Sequence, residues 1–105
     1  PKVVFDLNGN LLYMSRANIP GNKKGAFEKG WRQVCAYAFP KEALRKFRGY
    51  GKKTPLEEIE DIEVLRFLEM GISVKMLEMS SQSIPVDHKE DIALVESYLN
   101  EYGDL

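Results

Sequence analysis

The sequence has little of what several classes of protein require. It contains one cysteine, Cys35, so no internal disulfide can form, and a cytoplasmic protein is the expectation. It contains one histidine, His88, which excludes a histidine-rich metal site. No apolar run approaches the roughly 20 residues that a membrane-spanning helix needs, and no signal peptide, P-loop, zinc-ligand spacing or nucleophile elbow is present. The formal net charge of −1 argues against nucleic acid as the main partner.

What remains is the composition of a small globular domain. The chain has 105 residues, of which 44% are hydrophobic and 30% are charged. This length is enough for one domain, although such a chain buries a small share of its surface. The pattern predicts the order β-β-β-α-α-β-α, an α/β fold in which helices pack against a sheet. Because a strand follows Pro1 at once, we expect a portion of a longer protein with an edge strand missing before Pro1.

Residues 54–71, TPLEEIEDIEVLRFLEMG, carry the clearest signals and are predicted to form one helix. Thr54 is an N-cap residue, Pro55 suits the first helical position, and Glu57 completes a capping box. Gly71 can end the helix in a left-handed conformation. Apolar residues recur at helical spacing and predict a buried stripe of Leu56, Ile59, Ile62, Leu65 and Leu68.

The segment before this helix predicts a hairpin followed by a long loop. Residues 3–5 and 11–14 read as two strands joined at Asn8-Gly9, a strong two-residue turn signal. Residues 15–30 form a polar, glycine-rich loop, and a loop of that length is usually functional, mobile or covered by a partner. Residues 31–39 are rich in β-forming side chains and predict a third strand.

The other elements rest on shorter patterns. Residues 41–47 predict a short helix after Pro40, and residues 48–53 a basic linker. In residues 73–79, apolar side chains occur at both even and odd positions, so both faces of a strand would be apolar. This pattern predicts a buried strand. A last helix is predicted after Asp87, with an inner face of Ile92, Val95, Leu99 and Tyr102.

Candidate functional residues lie at the ends of these elements and along one strand. Arg16 ends the second strand and could grip a carboxylate or phosphate in a bidentate pair, or be an ordinary surface arginine. Gln33, Cys35 and Tyr37 share one face of the predicted third strand. On that face Tyr37 could equally be a core aromatic, and Cys35 is expected to be an inert buried thiol. Glu63 lies off the apolar stripe and could point into a site.

Asp87 has two interpretations, which the residues alone leave open. It follows a predicted strand and turn and precedes a helix, so its carboxylate could reach a Mg²⁺ ion at the edge of a crevice. It is also an N-cap residue, and Glu90 three positions later would complete a second capping box.

At these positions the chain resembles a known family, the CMP-KDO synthetases, or 3-deoxy-manno-octulosonate (KDO) cytidylyltransferases. The family's ordered blocks are SRSPIP, an aromatic-rich strand, PLE-x-x-E-x-LEQLR-x-LE-x-G and VDTPEDL. The corresponding blocks here are SRANIP, CAYAF, TPLEEIEDIEVLRFLEMG and VDHKEDI. The resemblance covers nearly the whole chain and implies the C-terminal portion of a nucleotide-diphospho-sugar transferase-like, Rossmann-like α/β fold.

The resemblance implies an activity as well. Such an enzyme transfers CMP from CTP to KDO or a related ulosonic acid for lipopolysaccharide, requires Mg²⁺, and is a homodimer whose interface includes the region of residues 15–53. The nucleotide-binding N-terminal half lies outside residues 1–105, so we expect this chain alone to be inactive. The rival from another class is a non-catalytic binding or assembly module that has kept the fold.

The resemblance assigns residues to this activity. The arginine of the first block falls on Arg16, the tyrosine of the aromatic strand on Tyr37, and the first glutamate of LEQLR on Glu63, all on the sugar-binding side. The aspartate of VDTPED, a Mg²⁺ ligand in the family, falls on Asp87.

Two sugar-side positions depart from the family pattern. Gln33 stands where many members have a sugar-contacting histidine, and Val64 stands where they have glutamine. These differences leave open a related substrate, such as an amino-substituted ulosonate or a nonulosonate.

Overall fold

The computed structural model describes residues 1–79, 84 and 86–102 of the chain. Within these residues it contains a three-stranded antiparallel sheet and four helices, a small α/β structure. The strands are β1 Lys2–Phe5, β2 Leu11–Ser15 and β3 Trp31–Arg32. The helices are α1 Lys41–Tyr50, α2 Pro55–Glu60, α3 Val64–Glu69 and α4 Lys89–Tyr102.

The predicted hairpin between the first two strands is confirmed. β1 pairs antiparallel with β2, and the turn spans residues 6–10 rather than two residues. The Asp6 carboxylate accepts hydrogen bonds from the backbone N–H groups of Asn8 and Asn10 at 2.9 and 2.8 Å. Gly9 has a φ of 82°, in the left-handed region that an Asn-Gly turn requires.

The prediction of a strand over residues 31–39 is wrong beyond its first two residues. β3 pairs with Lys2 and Val3 of β1, so the sheet order is β2-β1-β3. Residues 33–39 leave the sheet, and Cys35 is exposed rather than buried. Propensity for β structure reflects packing on a pleated surface, and it cannot supply the neighbouring strand that such packing requires.

Helix α1 begins after Pro40 as predicted and continues past the predicted end at residue 47. It stops where Gly51 takes a φ of 78° and donates its N–H to the carbonyl oxygen of Arg48 at 3.1 Å. Glycine ends helices in this way because it has no Cβ to oppose a left-handed conformation. The first part of the predicted linker over residues 48–53 is therefore helical.

The prediction of one continuous helix over residues 54–71 is wrong in its middle. α2 ends at Glu60. The next residue, Asp61, takes a left-handed conformation with φ 52° and ψ 51°, and α3 starts at Val64. The break divides the predicted apolar stripe. Ile62 and Leu65 lie in the core, whereas Leu56 and Ile59 are exposed, Ile59 by 79%.

Both predicted ends of this segment are confirmed. The backbone N–H of Thr54 donates to Oε2 of Glu57 at 3.0 Å, as a capping box requires. At the other end Gly71 has a φ of 76° and donates to the carbonyl oxygen of Leu68 at 3.0 Å. The next N–H, that of Ile72, donates to the carbonyl oxygen of Phe67 at 2.9 Å and completes a Schellman motif.

Residues 73–79 do not form the predicted buried strand. Lys75 makes an isolated bridge with Asn10 at the hairpin turn. Leu77 and Met79, near the end of this segment, are exposed. The core instead lies between the hairpin and the start of α3, and its buried cluster consists of Val3, Leu11, Met14, Ile62, Val64 and Leu65.

Helix α4 confirms the predicted last helix but not its predicted inner face. It contains no buried residue, and Ile92, Leu99 and Tyr102 are exposed while Val95 is partly buried. Among the helices of the described residues, none combines the length and apolarity that crossing a membrane requires.

Candidate functional site

A cavity of about 270 Å³ lies beside helices α1 and α3 and the segment that follows β3. The α1 side chains reach it because the helix presents Leu44 and Phe47 on one face, three positions apart. Tyr37 and Phe39, at the end of the segment that follows β3, line another side. The lining residues are Tyr37, Phe39, Leu44, Phe47, Glu63, Val64 and Phe67.

Stacked aromatic rings form much of the cavity wall. Tyr37 stacks on Phe39 with 5.7 Å between ring centroids, and Phe39 stacks on Phe67 at 5.2 Å. Phe67 in turn stacks on Phe47 at 4.9 Å. The guanidinium carbon of Arg66 lies 3.8 Å from the centroid of the Phe47 ring, a cation–π contact at the end of the stack. Three consecutive ring stacks and the cation–π contact give the wall a defined shape.

Two of the predicted sugar-side residues meet at this cavity. Tyr37 is 47% exposed, so it is not the core aromatic that its strand position allowed. Glu63 immediately precedes α3 and is also exposed. Partial burial, together with electrostatic interactions with Cys35 and Glu63, raises the pKa of the Tyr37 hydroxyl, which therefore stays protonated at neutral pH. Val64, the family's glutamine position, lines the same cavity as a buried apolar residue.

The other two predicted sugar-side residues lie elsewhere. Arg16 directs its guanidinium to the carbonyl oxygens of Glu60 and Asp61, at 2.5 and 2.9 Å, where α2 ends. Gln33 donates its backbone N–H to the carbonyl oxygen of Pro1 at 3.0 Å and does not line the cavity.

Asp87 is exposed and lies two residues before Lys89, the first residue of α4. The capping carboxylate at this point belongs to Asp91, whose Oδ2 accepts hydrogen bonds from the backbone N–H groups of Asp87 and His88 at 3.0 and 2.9 Å. The alternative of a capping box between Asp87 and Glu90 is therefore wrong by one position. Across residues 1–79, 84 and 86–102, no cluster of three or more His, Cys, Asp or Glu side chains is suited to a metal ion.

A buried ionic network joins helices α2 and α3 next to the Phe47 ring of the cavity wall. The sequence did not predict it. Arg66 donates from Nε and Nη2 to the two carboxylate oxygens of Glu57 at 2.6 and 2.8 Å. These hydrogen bonds outweigh burial and lower the pKa of Glu57. Glu69 accepts from the backbone N–H groups of Leu56 and Glu57 at 2.9 and 3.2 Å, so a side chain of α3 caps the first turn of α2.

The sequence held no local signal for this network. Glu57 and Arg66 are nine positions apart and separated by the unpredicted break, so no helical spacing rule pairs them. The aromatic residues Phe39, Phe47 and Phe67 carry no local signal that would join them across three elements.

Comparison with known proteins finds that the chain is similar to a group of enzymes, although no protein-family model matches it. It is 42% identical over 98 residues to the 3-deoxy-manno-octulosonate cytidylyltransferase of Chlamydia pneumoniae, a match that covers 93% of this chain and 38% of the relative. The enzyme of the same name from Acidobacterium capsulatum is 43% identical over 101 residues, covering 95% of this chain and 41% of the relative. That of Thermodesulfovibrio yellowstonii is 38% identical over 109 residues, covering 97% and 42%. The chain spans about two fifths of the length of these relatives and matches a C-terminal portion of the 3-deoxy-manno-octulosonate cytidylyltransferases.

Proposed function

We propose that the full-length protein is a cytidylyltransferase that transfers CMP from CTP to KDO or a related ulosonic acid in the cytoplasm. In this proposal the chain belongs to a Rossmann-like nucleotidyltransferase fold and supplies the sugar side of its active site. The observation that carries the proposal is the meeting of Tyr37 and Glu63 at one cavity, in a chain about 40% identical to named cytidylyltransferases.

The chemistry of the cavity suits the hydroxyl-bearing part of a sugar acid. The Glu63 carboxylate and the Tyr37 hydroxyl can accept hydrogen bonds from sugar hydroxyl groups, and Tyr37 can donate one. The aromatic and aliphatic lining offers contact to the C–H faces of a sugar ring. The negative charge of Glu63 disfavours the carboxylate of the ligand, so that group would point away from the cavity. A site that satisfies particular hydroxyl groups discriminates against analogues that leave its polar groups unpaired.

The reaction proposed is a single displacement at phosphorus. The oxygen of the anomeric hydroxyl forms a bond to the α-phosphorus of CTP, and the bond from that phosphorus to the bridging oxygen breaks. Pyrophosphate leaves with the bond electrons, and the hydroxyl proton passes to solvent or to a base. The residues of this chain contribute by holding the sugar so that its anomeric oxygen faces the nucleotide.

Asp87 is the residue that would hold Mg²⁺. The ion takes one or two protein carboxylates and completes its shell with water and substrate phosphates, so a single exposed carboxylate in this chain fits such a site. When bound, Mg²⁺ offsets negative charge on the phosphates. Arg16 and Gln33 stay predictions as sugar-side residues.

The test is pyrophosphate release by the full-length protein with CTP, Mg²⁺ and a panel of sugar acids. We expect turnover with KDO or a related ulosonate, and none from residues 1–105 alone. Tyr37→Phe and Glu63→Gln should each raise KM for the sugar acid about tenfold while leaving KM for CTP within twofold, because a lost hydrogen bond to a substrate group costs about 1–1.5 kcal/mol. Tyr102→Phe, an exposed tyrosine on α4, is the matched control.

The rival function is a non-catalytic module that retains the fold. Full-length protein that releases no pyrophosphate with any sugar acid, yet is folded and monodisperse, would contradict the enzyme and favour the module.

A further inference from the structure

Arg66, on helix α3, connects three helices through one side chain. Its Nε and Nη2 donate to the Glu57 carboxylate on α2 at 2.6 and 2.8 Å, and its Nη1 donates to the carbonyl oxygen of Phe47 on α1 at 3.4 Å. Its guanidinium carbon lies 3.8 Å from the centroid of the Phe47 ring. A planar guanidinium can donate from its edge and stack with its face at the same time, which a lysine ammonium cannot do.

Glu57 holds Arg66 in this orientation. The Glu57 side chain is 1% exposed, and its Oε2 also accepts the backbone N–H of Thr54 at 3.0 Å. The capping box therefore fixes the carboxylate, and the carboxylate fixes the guanidinium through a two-point pair. The face that Arg66 presents to Phe47 depends on this pair.

Helix α1 packs against α3, although none of its residues, all of which the structure describes, is buried. Phe47 makes the aromatic contact between the two helices, since its ring lies against Arg66 and stacks on Phe67. Leu44 and Phe47 line the cavity from α1, and residues of α3 line it as well. The contact between Arg66 and Phe47 therefore helps to set the separation of the two helices that line the cavity.

We infer that Arg66 is a positioning residue for the sugar site, which fixes Phe47 and thereby the distance between the α1 and α3 sides of the cavity. Arg66 does not line the cavity, and each of its three guanidinium nitrogens already donates to a protein acceptor. It therefore acts on the sugar acid through Phe47 rather than by contact. The inference rests on the proposed function of the cavity.

Steady-state kinetics of the full-length enzyme test this role. Arg66→Lys keeps a positive charge beside Glu57 but loses the planar face and the fork, so KM for the sugar acid should rise about tenfold while KM for CTP stays within twofold. In the Phe47→Leu background the same change should have less than a twofold effect, because the ring through which Arg66 acts is gone. Gly71→Ala is the control for lost stability, since it strains the backbone at a φ of 76° and leaves the cavity untouched. Both KM values should stay within twofold in this control.

A second variant covers the case in which Arg66→Lys does not fold. Arg66→Met combined with Glu57→Leu removes both charges of the buried pair at once, an exchange that often preserves stability. It should raise KM for the sugar acid as Arg66→Lys does, because α1 loses the same contact. An unchanged KM for the sugar acid in the Arg66 variants would overturn the inference. So would an effect of Arg66→Lys that is equally large in the Phe47→Leu background, or an equal rise of KM in Gly71→Ala.

Amide hydrogen exchange reports on the attachment of α1 without using activity. Exchange of residues 45–50 relative to β1 should be faster in Arg66→Lys than in the wild type, since α1 loses its contact with Arg66, and the ratio should be unchanged in Gly71→Ala. An unchanged ratio in Arg66→Lys would overturn the inference. If the wild type has no turnover with any sugar acid, the proposed function fails, while hydrogen exchange still decides whether Arg66 anchors α1.

Discussion

Glu57 and Arg66 form a two-point ion pair between helices α2 and α3, with N–O distances of 2.6 and 2.8 Å. The side chains of Glu57 and Arg66 are only 1% and 12% exposed. Both charges are therefore largely removed from water, and each depends on the other for compensation. Because Arg66 also covers the Phe47 ring at the end of the aromatic stack, the pair connects the stability of the helices to the shape of the cavity.

Neutralising Glu57 should destabilise the fold strongly. Glu57→Gln leaves the Arg66 charge buried without a partner, and we expect the free energy of unfolding to fall by about 3 kcal/mol. Urea unfolding of the full-length protein measures this loss. The control is Glu42→Gln, which breaks an exposed pair with Arg45 at 3.7 Å and should cost less than about 0.5 kcal/mol. Equal losses in the two variants would contradict the prediction.

The same pair should make stability depend on pH in the acid range. Hydrogen bonds from Arg66 lower the pKa of Glu57 despite its burial, so the carboxylate gains protons less readily in the folded state than in the unfolded chain. Its contribution is complete above the ordinary glutamate pKa of about 4.3 and is lost as the pH falls through the lower folded-state value. We expect the melting temperature to fall less steeply below about pH 4.3 in Glu57→Gln than in the wild type. Identical slopes would show that the pair does not control acid unfolding.

Variants of Asp87 and Asp91 should show which of the two carboxylates acts in catalysis and which caps helix α4. Because Asp91 provides the capping carboxylate, Asp87→Asn should leave the melting temperature almost unchanged. If Asp87 binds Mg²⁺, turnover of the full-length enzyme should fall at least a hundredfold, since groups that merely support metal ligands are worth about 10–100-fold. Asp91→Ala should show the opposite pattern, with a stability loss of about 1 kcal/mol and a modest effect on turnover. Normal turnover of Asp87→Asn at limiting Mg²⁺ would remove Asp87 from the metal site.

The two departures from the family pattern should control the choice of sugar. Val64 is buried at the cavity and offers no hydrogen bond, whereas a glutamine there could pair with a sugar hydroxyl. We expect Val64→Gln combined with Gln33→His to shift the ratio of kcat/KM values about tenfold toward KDO over an amino-substituted ulosonate or a nonulosonate. The ratio for each single variant shows which position carries the effect. A ratio unchanged in the double variant would count against both.

Association into a two-fold dimer is also predicted. The long loop over residues 15–30 and the apolar side chains left exposed beside it favour burial against a second copy. Trp31 is exposed at the end of this loop, and tryptophan often dominates interface energetics. Trp31→Ser should therefore weaken the dimer at least tenfold, and Ile59→Ser on α2 should not. Light scattering of the full-length protein measures the mass, and a monomer throughout the micromolar range would contradict the prediction.

Short sequence patterns correctly predicted the parts of the fold that depend only on adjacent residues. The capping box at Thr54, the helix stop at Gly71 and the turn at Gly9 each depend on a few adjacent residues, and all three are confirmed. The left-handed Asp61 was not predicted, because the contacts that stabilise it come from Arg16 and Lys53.

In the candidate site too, features set by adjacent residues were predicted and features set by distant contacts were not. Tyr37 was predicted on a strand that does not form, yet it reaches the cavity because the stack with Phe39 and Phe67 holds the segment there. The residues alone therefore identified Tyr37 and Glu63 as separate candidates. The resemblance to a family implied that both act on the sugar-binding side. Their proximity depends on packing between three separate elements, which no single stretch of sequence encodes.

Helix α2 has six residues, and side chains from other elements satisfy both of its ends. Glu69 accepts hydrogen bonds from its first N–H groups, and Arg16 donates to its last carbonyls. A helix of this length is unstable in isolation because the cost of nucleation exceeds the gain from so few bonds. α2 must therefore form late, after β2 and α3 have come together, as a product of tertiary assembly. Changes confined to its exposed face should alter the unfolding rate and leave the folding rate nearly constant.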